Sequence, residues 1–478
     1  MTLQTTIPHH LETLVGAAAV TPWEAVPQAD RQRFQAALAD PANPGTAAPT
    51  CLVAPPSVEA LQAVVRCAHQ NRWPLLITGS GSKMGWGQPV RGAKIVLSTA
   101  QLTQWVDHAV GDLTLTAEVG VPLALAQARL GQEGQFLALD PLWSGTLGGL
   151  VATGESGSLR QRYGGVRDMV LGVEFVRSDG EKAKAGGRVV KNVAGYDLMK
   201  LLTGSYGSLG IVTQVTLRLY PRPEQFQSQV IWGAGATVAQ LAQTILASTL
   251  SPVAIDLVSR SQLSALDLAN KAGDLGLILR FGTLPSSNQG QMQEIAGLAT
   301  GLGLWVQDFG PEDEGSLWLQ LQRSLGGNAS GAPSIAPSSA TPAATPAATQ
   351  ADVPLADPIA PADPAVLLKV GIPSTQVSAT LIKIAEILPE TALAQVQAGS
   401  GLGYVRCGAG ELQGEQLMQL RQHCQRSQGY VTVLEAPRSL KESMAVWGYG
   451  GNAAGLMRAL KQQFDPMGIL NPGRSLGG

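Results

Sequence analysis

Apolar positions between residues 46 and 222 recur with two different periods, which predicts a mixture of helices and strands. Residues 58–68 have apolar side chains at helical spacing and follow Ser57, a residue suited to cap a helix N-terminus. Residues 113–119 alternate apolar and polar side chains, the pattern of a half-buried strand. Further strands are predicted at 74–78, 94–97, 170–176 and 212–219, and a further helix at 122–130. This mixture indicates an α+β domain.

A second region of mixed strands and helices is interrupted by a stretch of very different composition. Residues 225–325 and 365–440 contain strand-like and helix-like segments. Between them, residues 328–364 have eight prolines, many alanines, no aromatic residue and three charges. Such a stretch buries too little apolar surface to offset its ordering entropy. We therefore expect a second α+β domain interrupted by a disordered or extended insertion.

Composition narrows the class of protein. Charged residues make up 14% of the chain, against about 25% in ordinary globular proteins, and the net charge is −2. Without a basic block, the chain lacks the electrostatic footprint of a nucleic-acid-binding protein. The four cysteines form no C-x-x-C pair, which argues against a zinc or iron–sulfur motif and favours reduced thiols. No signal peptide and no run of about 18 apolar residues is visible. We expect a cytoplasmic protein that reaches a membrane only through a partner.

Glycine-rich loops between the predicted strands are the candidates for ligand binding. The first loop, residues 77–83, combines two glycines with two serines, so that backbone N–H groups and hydroxyls can converge on a diphosphate. It is not a G-x-G-x-x-G fingerprint, because Met84 occupies the place of the third glycine, and the chain has no Walker motif. A purely structural turn is the alternative reading.

Two further segments complete the set of candidate ligand-binding elements. In the second loop, residues 141–154, we expect Thr146 to cap a helix whose first N–H groups are free and attract an anion. The alternative is a tightly packed start of a helix. The third element, residues 187–213, has polar side chains in an apolar stretch, namely Lys191, Asn192, Tyr196 and Asp197. Such groups need partners if they are buried, and either a flavin ring or an internal polar network would supply them.

The order and spacing of these three segments resemble the FAD-binding domain of the vanillyl-alcohol-oxidase type, also called the PCMH type. The strings 188–200 and 204–213 resemble, more narrowly, the E subunits of bacterial glycolate oxidases. The likeness covers residues 46–222 and the terminal string 464–474, which resembles the C-terminal motif of flavin-linked hydroxyacid oxidoreductases.

The resemblance implies an organisation and a set of cofactor-binding residues. The implied parts are an N-terminal helical segment (1–45), a two-subdomain PCMH-type FAD-binding domain (46–222), an α+β cap domain in two parts (223–327 and 365–440) around the Pro/Ala-rich disordered insertion (328–364), and a C-terminal segment (441–478) that returns to the FAD domain. The implied FAD-binding residues are Thr78, Gly79, Ser80, Gly81, Ser82, Lys83, Pro141, Thr146, Leu147, Gly148, Gly149, Thr153, Ser156, Gly210, Ile211, Val212 and Asn471. Among them, Gly210 to Val212 are expected against the adenine, and Asn471 is expected to close over the cofactor.

The chain departs from the pattern of this family at two points. Members with covalent flavin often use a histidine in the first loop, where this chain has Ser82 and Lys83, so non-covalent FAD is expected. Catalytic hydroxyacid oxidoreductases of the superfamily have histidines in the cap and C-terminal part that bind metal or act as bases. This chain has only His423 there, and no metal is expected.

Two main hypotheses for function follow. In the first, the chain is an enzyme subunit that oxidises a small 2-hydroxy acid such as glycolate through its flavin. Arg406 and Arg438 are then candidates for the substrate carboxylate, and His423 and Glu435 for the base. In the second, the chain holds FAD or completes an assembly, while a related FAD-domain subunit oxidises the hydroxy acid and an iron–sulfur subunit accepts electrons. A third hypothesis is a binding module that keeps the fold but has lost FAD.

Overall fold

The computed structural model describes residues 3–39, 48–188, 195–268, 273–326, 365–408, 410–449 and 451–476. The predicted insertion at 328–364 lies outside the described residues, as do Lys191 and Asn192.

The part of the chain before residue 222 forms three sheets and eight helices in the described ranges. Its strands are β1 (Val20–Pro22), β2 (Cys51–Val53), β3 (Leu75–Thr78), β4 (Ile95–Ser98), β5 (Trp105–Ala109), β6 (Thr114–Glu118), β7 (Gln135–Phe136), β8 (Val170–Val176), β9 (Lys182–Gly186), β10 (Ile211–Arg218) and β11 (Tyr220–Pro221). Its helices are α1 (Leu3–Val15), α2 (Gln28–Gln35), α3 (Val58–Asn71), α4 (Leu123–Gln132), α5 (Leu147–Thr153), α6 (Arg160–Tyr163), α7 (Val166–Met169) and α8 (Leu198–Leu202).

Two of these sheets form the halves of the expected FAD-binding domain. The first has strand order β1-β2-β4-β3, with β2, β4 and β3 parallel. The second has the order β5-β6-β10-β8-β9 and is antiparallel throughout. The third is the small pair β7 and β11. One hydrophobic core joins the two large sheets, and it includes Leu75 on the first sheet, Leu61 on α3, and Leu115 and Val215 on the second sheet. The two halves are therefore held together by shared packing.

The rest of the chain forms an eight-stranded antiparallel sheet covered by helices. Its strands are β12 (Gln225–Gly233), β13 (Ala254–Ser259), β14 (Leu275–Thr283), β15 (Trp305–Phe309), β16 (Ala365–Gly371), β17 (Leu393–Gln397), β18 (Leu402–Gly408) and β19 (Tyr430–Glu435), in the order β15-β12-β14-β13-β17-β18-β16-β19. The helices are α9 (Gly235–Leu246), α10 (Arg260–Ala265), α11 (Pro285–Gly301), α12 (Glu314–Gly326), α13 (Val377–Ile387), α14 (Gly414–Arg426), α15 (Arg438–Ser443) and α16 (Ala454–Phe464). Strands from both sides of residues 327–364 share this sheet, and the α+β prediction is confirmed.

Local sequence signals explain where individual elements begin and end. Helix α3 starts after Ser57, whose hydroxyl accepts a hydrogen bond from the amide of Ala60 at 3.2 Å. The predicted strand at 113–119 is β6, but it is buried on both faces. On the polar face of β6, the hydroxyl of Thr116 forms a hydrogen bond with the hydroxyl of Thr216 on β10, at 3.0 Å. A buried hydroxyl on this face therefore keeps a hydrogen-bond partner.

Both ends of the chain join the first sheet. The N-terminal segment, expected to be helical, also supplies β1, which pairs with β2. At the other end, the backbone from Ile469 to Asn471 runs beside β3. Leu75 donates its amide to Ile469 O at 2.7 Å and accepts from the amide of Asn471 at 3.0 Å. The C-terminal segment thereby reaches the end of β3, where the first loop begins.

Candidate functional site

A cleft lies between the two halves of the N-terminal domain. The first loop, the start of α5 and the start of β10 meet there. The lining includes most of the residues expected from sequence: Thr78, Gly79, Ser80, Gly81, Ser82, Lys83, Thr146, Gly148, Gly149, Thr153, Gly210, Ile211 and Val212.

The first loop offers free backbone donors to this cleft. Within the described part of the chain, none of the amide N–H groups of residues 79–83 donates to a protein acceptor. Two backbone carbonyl groups of the same loop, in contrast, accept hydrogen bonds from protein side chains. Gly79 O accepts from the Ser98 hydroxyl at 3.2 Å, and Ser80 O accepts from Arg33 Nη1 at 3.2 Å. A run of unpaired amides on a backbone fixed from behind is an anion-binding arrangement.

Two side chains that line the cleft reinforce this reading. Arg474 is 5% exposed and donates from Nη2 to Lys83 O at 3.3 Å and to Met84 O at 3.0 Å, while its Nη1 is buried without a partner among the described residues. Burial lowers the pKa of Arg474 to about 10, so the guanidinium stays charged at neutral pH. Ser80 Oγ is likewise buried and unpartnered within the described chain. A buried unpaired cation and hydroxyl fit a phosphate group as the missing partner.

The second loop does not supply the free amides that were expected of it. Thr146 does cap α5, and its hydroxyl accepts from the amide of Gly149 at 3.2 Å. The amides of Leu147 and Gly148 donate to Val121 O and Val119 O, each at 2.9 Å. The first amides of α5 are therefore already bonded, and the expectation that they attract an anion is wrong for this helix. The tightly packed start of a helix, which was the alternative, is what the structure contains.

The glycines of the second loop permit close packing instead. A Cβ atom on Gly148 would lie 2.7 Å from Val119 Cβ, closer than carbon atoms approach. A Cβ atom on Gly79 would lie 2.5 Å from Thr146 Oγ1, and one on Gly145 would lie 2.8 Å from Ser82 Oγ. In each of these two contacts a glycine of one loop lies against a hydroxyl side chain of the other, so the loops are close neighbours, as a shared site requires.

Four predicted cofactor residues do not line this cleft. Leu147 is buried in the core, and Pro141 accepts at its carbonyl from Gln322 Nε2 at 3.3 Å. Ser156 lines a neighbouring cleft. Asn471 was expected to close over the cofactor, but it lies behind the first loop: its Oδ1 accepts from the Ile77 amide at 2.8 Å and its Nδ2 donates to Tyr206 O at 2.7 Å. In the structure, Asn471 holds two walls of the cleft together.

Sequence reasoning missed several residues of the cleft wall. They are Ile77, Met84, Thr99, Ala152, Ser205, Tyr206, Gly207 and Arg474. Most of them lie in segments that were already singled out. Ile77 begins the first loop, Ala152 lies in the second, Arg474 ends the C-terminal string, and the string 204–213 contains Ser205, Tyr206 and Gly207. Met84 and Thr99 lie outside these segments, and only the fold brings them to the cleft.

A second cleft lies between this domain and the eight-stranded sheet. It shares Thr153 and Tyr206 with the first cleft, so the two clefts are adjacent. Arg160 and Lys369 line it, and in the described chain neither side chain forms a hydrogen bond or an ion pair. Burial lowers the pKa of Lys369, Glu155 raises it, and Arg160 lowers it further. Arg167 and Asp168 also line this cleft, so three basic side chains and one carboxylate face it, a balance that favours an anionic ligand.

The four catalytic candidates are brought together only in part. Arg406 and Glu435 both stand opposite Leu367 of β16, on the strands to either side, and Arg406 is among the charges that hold down the pKa of Glu435 against the raising effect of burial. His423 lies on α14, with Nε2 3.3 Å from the Thr380 hydroxyl, and burial lowers its pKa. Arg438 donates to Gln35 O at 2.8 Å. None of the four lines either cleft as described.

Metal and membrane features can be stated for the described ranges alone. No group of three or more His, Cys, Asp or Glu residues there is arranged to hold a metal ion. No helix in the same ranges is long and apolar enough to cross a bilayer. The four cysteines are free and buried, and burial raises the pKa of Cys51 to about 11 and of Cys407 to about 12.

Solved structures identify the fold. The chain is similar to 4-ethylphenol oxidase from Gulosibacter chungangensis, with a TM-score of 0.68, 16% identity, and coverage of 99% of this chain and 97% of that one. It is similar to p-cresol methylhydroxylase with the same TM-score, 14% identity, and coverage of 98% and 96%. The chain therefore has the fold of these two proteins, the PCMH-type fold expected from the sequence.

A family match and curated relatives narrow this class. Residues 49–186 match the family of the FAD binding domain, so the chain contains such a domain and FAD is its cofactor. Glycolate oxidase subunit GlcE of Escherichia coli is 40% identical over 168 residues, which are 34% of this chain and 47% of that protein. Glycolate oxidase subunit GlcD of Bacillus subtilis is 28% identical over 228 residues, 47% of this chain and 48% of that protein. The probable mitochondrial D-lactate dehydrogenase of Danio rerio is 36% identical over 38% of this chain and 37% of its own length.

These relatives confirm the resemblance to glycolate oxidase E subunits. The matches span about half, or less, of the length of these curated relatives. The unpaired groups of the first cleft fit the cofactor that the family implies. The amides of residues 79–83, Ser80 Oγ and Arg474 Nη1 would hold the diphosphate of FAD.

Proposed function

We propose that the chain binds FAD non-covalently and serves in the oxidation of a small 2-hydroxy acid, with glycolate to glyoxylate as the reaction. One observation supports this most: a cleft with unpaired amides and an unpaired guanidinium nitrogen lies beside a second cleft that Arg160 and Lys369 line. The first cleft suits a dinucleotide diphosphate, and the second suits a small carboxylate. The absence of a histidine from the first loop supports the non-covalent mode.

The second cleft gives the proposal its substrate-binding residues. When bound, FAD supplies a ring that accepts a hydride from the substrate carbon. Arg160 and Lys369 would bind the substrate carboxylate and orient the carbon that bears the hydroxyl. They replace Arg406 and Arg438 in that role, because Arg406 donates to Leu325 O at 3.1 Å and Arg438 to Gln35 O.

A second candidate function is an FAD-holding subunit whose partner oxidises the hydroxy acid. No histidine lines either cleft among the described residues, which favours this candidate, since histidine is the commonest general base. The partners in this proposal are a related FAD-domain subunit and an iron–sulfur subunit. Two of the relatives are themselves named as subunits, GlcE and GlcD. Assembly and a cytoplasmic location stay predictions.

The visible spectrum of the purified chain tests both candidates. We expect a yellow protein whose flavin is released by heat or acid. Anaerobic addition of glycolate should then bleach the flavin of the chain alone if the chain is catalytic. Bleaching that needs the co-purified partner would support the FAD-holding function. A colourless protein that takes up no added FAD would contradict both.

Substitutions in the second cleft test the substrate site separately. Arg160→Gln and Lys369→Met should each raise the Kd of glycolate, measured from its effect on the flavin spectrum, about tenfold or more. Each variant removes a charged partner of the carboxylate. Arg66→Gln and Lys383→Met are the matched controls, since both side chains lie on the surface and pair with Glu181 and Glu386. Unchanged glycolate binding in both cleft variants would contradict the assignment.

A further inference from the structure

We propose that Glu155 is a positioning residue for the diphosphate site, and that Lys83 acts through Glu155 rather than on the phosphate. The proposal rests on FAD binding at the first cleft. Sequence reasoning treated Lys83 as a direct cofactor ligand and gave Glu155 no role.

Glu155 connects the two glycine loops with its two carboxylate oxygens. Oε2 lies 2.8 Å from Lys83 Nζ of the first loop. Oε1 accepts from the amide of Leu142 at 2.6 Å and from the amide of Trp143 at 3.4 Å, both in the second loop. The side chains of Glu155 and Lys83 are 0% and 4% exposed. A single buried carboxylate therefore fixes the distance between the loops that meet at the cleft.

The pair leaves Lys83 little freedom to act as a phosphate ligand. Its ammonium is buried against the carboxylate and lies beside Gly145, where a Cβ atom would be 3.4 Å from Nζ. The charge of the ammonium is balanced inside the protein. The positive charge that remains for a diphosphate is that of Arg474, whose Nη1 has no partner among the described residues. We infer that Lys83 orients the free amides of residues 79–83 by anchoring the end of their loop.

The physics of buried ion pairs makes the two roles distinguishable. Loss of one partner leaves an uncompensated charge, which the loops relieve by moving apart. If Lys83 only positions the loop, loss of either partner weakens diphosphate binding. If Lys83 binds the phosphate directly, loss of Glu155 frees the ammonium and strengthens diphosphate binding. The sign of the change in affinity on Glu155→Gln therefore decides between the roles.

The experiment measures the Kd of FAD for the apoprotein by quenching of flavin fluorescence, with ADP and adenosine as competitors. We expect Glu155→Gln and Lys83→Met each to weaken FAD and ADP about tenfold, and the double variant to match the single variants. Adenosine, which lacks the diphosphate, should bind unchanged. A general loosening of the cleft would weaken adenosine as well, and would overturn the proposal.

The cap domain offers a matched control for burial of an ion pair. Arg280 Nε and Glu314 Oε1 lie 2.6 Å apart, and their side chains are 3% and 2% exposed. Glu314→Gln should lower the melting temperature of the apoprotein without changing the Kd of FAD. If Glu155→Gln fails to fold, Glu155→Asp keeps the charge but shortens the link, and is expected to weaken ADP in the same direction.

Besides weaker binding of adenosine, three outcomes would overturn the inference. The first is tighter FAD binding by Glu155→Gln, and the second is unchanged FAD binding by Glu155→Gln, or by Glu155→Asp where that variant replaces it. The third is additive losses of affinity in the double variant. Failure of the wild-type apoprotein to bind FAD would be a different result, because it would remove the proposed function itself.

Discussion

The first and second glycine loops look alike in sequence, yet they use glycine for different purposes. In the first loop, the amides of residues 79–83 have no protein acceptor within the described chain, and an unpaired guanidinium nitrogen of Arg474 lines the same cleft. In the second loop, the amides of Leu147 and Gly148 are bonded to the strand end at Val119 and Val121. The first loop presents donors, and the second brings a helix close to a sheet.

The difference separates two kinds of variant. A change in the first loop should alter FAD affinity more than the stability of the apoprotein. A change in the second loop should alter stability more than FAD affinity. Each prediction below compares these two quantities.

Loss of Arg474 should have the largest effect. Arg474→Met removes the unpaired donor of the cleft and two bonds to the first loop, so the Kd of FAD should rise about a hundredfold, corresponding to ~2.7 kcal/mol. Fluorescence quenching of added FAD measures it. Arg421→Met is the control, because Arg421 is also a buried guanidinium bonded to backbone carbonyls, at Val431 and Ala445 of the cap. Equal losses of FAD affinity in both variants would contradict the role of Arg474.

A side chain on Gly148 should cost stability. In Gly148→Ala the new Cβ would lie 2.7 Å from Val119 Cβ, so α5 must move off the strand at a cost of about 1–3 kcal/mol. Urea unfolding of the apoprotein measures this. Gly149→Ala, in the same turn, meets its nearest neighbour at 3.6 Å and should be neutral or slightly stabilising. If Gly148→Ala reduced FAD affinity with no loss of stability, the second loop would be a ligand-binding loop after all.

Gly81→Val should release flavin while keeping most of the fold. The reason lies in the backbone, because Gly81 has φ +80° and its Cβ would point at Arg33 Cδ, 2.8 Å away, rather than into the cleft. The strain of about 1–2 kcal/mol should turn the amides away from the diphosphate and weaken FAD about tenfold. Gly134→Val has a similar φ of +64° with no atom near its Cβ, and should keep its FAD. Normal flavin content in Gly81→Val would refute the loop assignment.

The smallest effect is a dependence of stability on pH near the second loop. Burial raises the pKa of Asp140, which precedes that loop, to about 7, and its bond from the Leu159 amide lowers it only in part. Between about pH 4 and 7 the folded chain keeps a proton that the unfolded chain has lost, so this group makes stability fall as pH rises, and the effect levels off above pH 7. Asp140→Asn should remove up to ~1 kcal/mol of the change between pH 6 and 7. If the free energy of unfolding changed by the same amount between pH 6 and 7 in the variant and the wild type, Asp140 would not be the origin of the effect.

Short-range pattern was enough for much of the fold. The spacing of apolar residues predicts helix α3, and the hydroxyl of Ser57 predicts its cap. A run of apolar residues likewise predicts β3, the strand after which the first loop begins. The lining of the cleft by residues 78–83 also follows, because these residues are contiguous. Arg160 and Lys369 could not be assigned to a cleft, because they come from separate segments, outside the predicted loops, that only the fold brings together.

By itself, the sequence determined the elements, the capping of α5 by Thr146 and the flexibility of glycine at each turn, because these depend on neighbours within a few residues. It could not determine whether an amide or a charge has a partner. The amides of Leu147 and Gly148 are bonded to the segment that follows β6, 26 and 29 residues earlier, and the ammonium of Lys83 is neutralised by a carboxylate 72 residues later. Only the tertiary structure decided which donors stay free for a ligand, since a hydrogen bond or an ion pair depends on distance in space.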